Sequence, residues 1–131
     1  MGKTRVQFYV SITEDTTPDE MILRVEKALD IKLNRVDPHD PGEKGVWAKT
    51  KTLGFWILFG GYWPSYKKEK KRTFNLSGFE DQDIREEGKK FTLILISEFI
   101  KDVLVKRDGG KWYIPTEKEL NKELEEINSL N

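Results

Sequence analysis

Two groups of residues in this 131-residue chain have the side chains that acid–base or metal chemistry requires. The sole histidine, His39, is flanked by Asp37 and Asp40, a set with which a protein can hold a divalent cation or run general-base catalysis. Its setting opposes both uses. Pro38, Pro41 and Gly42 break the backbone around it, and neighbours in such a loop do not converge on one point, so His39 reads as a solvated loop residue. The second group is the acidic run of Glu80, Asp81, Asp83, Glu86 and Glu87. A catalytic carboxylate pair needs one member desolvated to separate the two pKa values, whereas like charges this dense ordinarily form a solvated face.

Other catalytic systems lack parts. A serine triad would have to use His39, and no serine sits in a Gly-x-Ser-x-Gly elbow. No phosphate-cradling glycine motif is present, since Gly60 and Gly61 lack a lysine at the required spacing. Cysteine is absent, which removes thiolate nucleophiles, disulfides and zinc–thiolate sites together. The expectation is a chain without catalytic residues, metal or cofactor; a hydrolase remains as a third reading.

Binding chemistry is better represented. Lys67, Lys68, Lys70, Lys71 and Arg72 form a basic block directly after Trp63 and Tyr66. Bases stack on aromatic rings while ammonium groups displace counterions from phosphates, so this turn suits a small RNA- or DNA-binding module. The same cations would equally serve to solubilise a sheet edge. Trp47, Phe55, Trp56 and Phe59 read as core. Trp63 is different, because Gly60 and Gly61 end the apolar run before it and Pro64 blocks regular pairing after it, which makes it a candidate interface anchor.

The composition sets the frame for these residues. Charged residues are 35% of the chain, yet 37% hydrophobic and 11% aromatic residues are enough to build one core, and the length is that of a single domain. The formal net charge is +0, so attraction to nucleic acid or anionic lipid would have to come from a local patch. The N-terminal residues read neither as a signal peptide nor as a myristoylation site, and no apolar run reaches membrane-spanning length, so a cytoplasmic location is expected.

At the start of the chain, Val6, Phe8, Val10 and Ile12 alternate as one face of an opening strand. Thr17 is placed to cap a helix over about residues 18 to 30, with Pro18 at its first position and Glu20 completing a capping box. Residues 34–44 read as loop, 46–51 and 53–59 as strands, and 73–76 as another. Residues 91–96 read as a short buried strand, followed by a helix capped by Ser97 with Phe99, Ile100, Val103 and Leu104 as its apolar stripe and Gly109 as its stop. Lys111 to Ile114 predicts a returning strand. Pro115 opens a last helix with a narrow seam of Leu120, Leu124 and Ile127. The order predicts a single α+β domain, a largely antiparallel sheet with helices packed on one face.

The early strand, the run from Gly54 to Phe59, Tyr62-Trp63-Pro64, the run from Ser77 to Asp81 and the closing run from Trp112 to Thr116 resemble small bacterial immunity proteins of polymorphic-toxin and contact-dependent growth inhibition systems. That resemblance implies a cytoplasmic, cofactor-free domain that binds a cognate toxin and blocks its active site; no residue role transfers from it. The charge pattern agrees with it on separate grounds. An inhibitor of a nuclease would use acids to meet the basic groups that hold phosphates, which points to Glu80, Asp81, Asp83, Glu86 and Glu87, with Trp63 and Tyr66 as aromatic contacts. The alternative function is the nucleic-acid module using Lys67, Lys68, Lys70, Lys71 and Arg72.

Overall fold

A computed structural model describes residues 3–37, 46–52, 54–61, 72–80 and 91–118. The strands are β1 (Lys3–Glu14), β2 (Asn34–Arg35), β3 (Val46–Thr52), β4 (Phe55–Gly61), β5 (Arg72–Glu80) and β6 (Phe91–Leu95), and the helices are α1 (Pro18–Leu29) and α2 (Ser97–Asp108). They form one six-stranded sheet in the order β2-β3-β4-β5-β1-β6. Every pairing is antiparallel except β1 with β6, which is parallel. The α+β architecture expected from the sequence is present.

Strand alternation builds the core. Phe8, Val10 and Ile12 of β1 lie in register with Gly78, Leu76 and Phe74 of β5, and Leu76 and Gly78 in turn face Phe59 and Ile57 of β4. This face is closed by Met21, Ile22, Val25 and Ala28 of α1 and Leu104 of α2, all buried. Each of these side chains larger than alanine contributes roughly 1.5–3 kcal/mol when fully removed from water. Gly78 is required here for space. A β carbon at that position would lie 2.1 Å from Cε1 of Phe8 and 2.7 Å from Cε1 of Phe55, the two rings that stack over it at 6.0 Å.

Helix α1 starts as its sequence dictates, with the Thr17 hydroxyl accepting from the Glu20 N–H at 3.2 Å. The Glu20 carboxylate accepts from the Thr16 hydroxyl, so only half of the expected capping box forms. Helix α2 departs further. Ile96 occupies its cap position without a side-chain bond, and the Ser97 hydroxyl instead accepts the N–H of Tyr9 at 3.0 Å, tying the helix start to β1. Gly109 ends the helix with φ of 82°, a left-handed conformation that glycine adopts without a side-chain penalty.

Arg24 clamps the two helices. Its Nε and Nη2 each donate to Asp108 at 2.7 Å, and its Nη atoms also reach Glu14 at the end of β1. The buried Trp112 indole donates to the same Asp108 at 2.9 Å. Burial pushes the Asp108 carboxyl up, but the Arg24 and Trp112 hydrogen bonds outweigh it and hold the group below its ordinary value. Arg24 is raised, first by its bond to Asp108 and then by Glu14.

Several sequence expectations require correction. Asn34 and Arg35, read as loop, pair with Lys49 and Ala48 as β2. β5 extends to Glu80 rather than ending at Leu76, because Ser77, Gly78 and Phe79 continue its ladder with both β1 and β4. β6 is not a buried strand but the edge of the sheet. Lys111 to Ile114 pairs at Tyr113 alone, whose backbone exchanges two 2.8 Å hydrogen bonds with Ser11. Glu117 and Lys118 begin the expected last helix, and the seam of Leu120, Leu124 and Ile127 lies outside the described residues.

Candidate protein interface

The charged blocks are tethered to opposite ends of β5. Arg72 begins that strand opposite Glu14, and Glu80 ends it opposite Phe55. Eight residue steps of about 3.3 Å separate them, roughly 26 Å along the sheet. Trp63, Tyr66, Lys67, Lys68, Lys70 and Lys71 lie outside the described residues, as do Asp81, Asp83, Glu86, Glu87 and His39. Arg72 and Glu80 are therefore the expected site residues that can be placed, and they do not come together.

Glu80 does structural work. Its register with β1 ends at Gln7 and Phe79, so Val6 would be the next residue to face it. In place of a backbone bond, the Glu80 carboxylate accepts the Val6 N–H at 2.9 Å. The acidic run thus follows in the chain from a fixed strand residue, and its first member is already engaged within the fold. Eleven residues after Glu80, β6 begins with Phe91 beside Lys3, at the same end of the sheet.

Among the described residues, four of the seven exposed large apolar side chains lie on β6 and the start of α2, the others being Leu23, Val105 and Ile114. Leu93, Ile94, Leu95 and Phe99 retain 47%, 45%, 65% and 66% of their surface accessible, a concentration a lone surface leucine would not signal. Ile94 pairs with Val6, the residue bonded to Glu80, so Ile94 and Glu80 occupy one row with β1 between them. Two strand spacings make that separation about 10 Å. Sequence reasoning missed this surface because a short apolar run has the same pattern in a central strand and on an edge.

A second arrangement lies on the sheet face turned away from the helices. Lys49 and Lys51 project over the ring of Trp56 at 5.7 and 5.5 Å from its centroid, within cation–π range. Register places Lys51, Trp56, Phe79, Gln7 and Leu95 in one row across this face. The reading of Trp47, Phe55, Trp56 and Phe59 as core divides accordingly: Phe59 is fully buried, Trp47 and Phe55 pack against the core, and Trp56 is half-buried beneath the lysines on the other face. The alternation of Lys49 and Lys51 was the signal available in the sequence.

Perturbed ionisable groups often mark catalytic sites, but Arg24 and Asp108 satisfy each other in a clamp that joins α1 and α2 and that Glu14 ties to the end of β1. Among the described residues no three metal-ligating side chains gather, and no helix is long and apolar enough to cross a membrane. Compared with family models, curated proteins and solved structures, the chain matches none.

Proposed function

We propose that this chain is a protein-binding inhibitor of the immunity type, neutralising a cognate toxin by covering its active site, with a nuclease as the toxin class that its charges suit. What supports this reading is the anchoring of the acidic run. Glu80 is fixed on Val6, and Asp81, Asp83, Glu86 and Glu87 follow it in the chain, away from the end of β5 where the basic block stops at Arg72. A nuclease holds phosphates with basic groups, and an acidic segment of this kind would compete for them through complementary potential. The test pairs the purified chain with the protein encoded directly upstream of its gene. A toxin domain that co-purifies with the chain and loses its activity on binding supports the reading; an upstream product without toxin activity, or one that does not bind, counts against it.

A second reading is favoured by one observation, the seating of Lys49 and Lys51 over Trp56. A cationic, aromatic sheet face can stack bases and neutralise phosphates, which would join the basic block in an RNA- or DNA-binding module. Titration with a mixed-sequence single-stranded oligonucleotide at low salt decides it. Binding weakened by Trp56→Ala supports this module, and no binding removes it.

A further inference from the structure

We infer that β6 is a self-association edge, and that two copies of this chain pair antiparallel through it to form one continuous twelve-stranded sheet. The inference goes beyond toxin binding and does not depend on it.

The backbone specifies the register. The Ile96 N–H donates to the Gln7 carbonyl across the β1–β6 pair at 2.9 Å. Because successive residues of a strand aim their peptide groups to opposite sides, Phe91, Leu93 and Leu95 aim theirs outward. Among the described residues no strand pairs with that outer edge. A two-fold axis at Leu93 matches these groups completely: Leu93 faces its own copy, and Phe91 faces Leu95 in both directions. Centring on Ile94 instead would ask Phe91 to pair with Ser97, which is already the first residue of α2.

Chemistry favours a second copy over a foreign strand. Natural edge strands are guarded by lysine, proline or a bulge, and Phe91–Leu95 contains no charge, no proline and no register shift with β1. Its exposed leucines and isoleucine lie on both faces, Leu93 and Leu95 on one and Ile94 on the other, which suits extension of the sheet better than capture of a flat surface. The two-fold operation keeps both pairs of helices on one side and sets the cross-strand leucines together on the other face.

Sedimentation and light scattering on the full chain over about 1–100 µM test this edge directly. The expected result is a dimer of twice the chain mass, with Leu93→Lys and Leu95→Lys each raising the dimer Kd by tenfold or more while circular dichroism stays native. The absence of native cysteine supplies a second readout independent of those variants. A facing hydrogen-bonded pair has Cα atoms about 5.5 Å apart, within disulfide range. Leu93→Cys should cross-link into a covalent dimer under mild oxidation, and Leu23→Cys, more exposed but on α1, should not. A wild-type chain that stays monomeric at 100 µM, or cross-linking no better at position 93 than at 23, overturns the inference.

Discussion

The Glu80 carboxylate accepts the backbone N–H of Val6 at 2.9 Å, taking the place that a strand partner would fill where the β1–β5 ladder ends. This one bond connects the fold to the proposed site, because it fixes the point from which the acidic run departs. It also divides the run into an anchoring acid and the acids that follow.

Glu80→Ala leaves the Val6 N–H without its acceptor and is expected to cost about 1–3 kcal/mol of folding stability, the penalty of an unsatisfied, partly buried donor. Glu80→Gln keeps an acceptor oxygen and should cost less than half as much. Urea midpoints of the two variants compare them; equal losses would show that the bond to Val6 contributes nothing.

Gly78 carries the stack of Phe8 on Phe55, and a methyl group placed there meets both rings well inside contact distance. Gly78→Ala should destabilise the chain by about 1–3 kcal/mol through overpacking. Adding Phe8→Leu should recover part of that loss, since neighbouring substitutions couple. A double variant whose loss equals the sum of the singles would remove the steric explanation.

Acid should weaken the helix clamp with a defined sign. Because the folded Asp108 carboxyl is held below its ordinary value, it stabilises the native state above the unfolded value of about 3.9, and that contribution is lost as pH falls through the lower folded value. The stability difference between the wild type and Asp108→Asn should therefore be level from pH 7 to about pH 5 and shrink below pH 4. A difference that stays constant down to pH 2 would mean that Asp108 is not ionised in the clamp.

Trp63 offers a test that separates an interface anchor from a core residue. As an anchor, Trp63→Ala should weaken toxin binding by about 2 kcal/mol or more while leaving the urea midpoint of the free chain in place. A loss of roughly 3–5 kcal/mol in folding stability would identify it as core and remove it from the site.

Much of the fold was legible because its signals are local. The alternation of Val6 to Ile12, the Thr17 cap before Pro18 and the Gly109 stop each follow from backbone chemistry within a few residues. What escaped depends on partners distant in sequence. Ser97 looks like a cap until Tyr9 claims its hydroxyl, and Phe91–Leu95 looks like a buried strand until the sheet order leaves it on the edge. Glu80 looked like one more acid in a solvated run, and only the register with β1 reveals that Val6 uses it. The grouping of Lys49 and Lys51 on Trp56 likewise needs the β3–β4 pairing, which aligns Lys51 with Trp56.

The most direct test of the inhibitor account is the stopped-flow association rate between this chain and the toxin domain proposed as its partner, measured against ionic strength. The comparison is between the wild type and a chain carrying Asp81→Asn, Asp83→Asn, Glu86→Gln and Glu87→Gln. Exposed charges steer encounter over a Debye length of about 8 Å at physiological salt, so neutralising them should slow association at least tenfold at low salt, flatten its salt dependence and barely alter dissociation. Equal association rates for the two proteins at every salt concentration would contradict the account and reduce the acidic run to a solvated face.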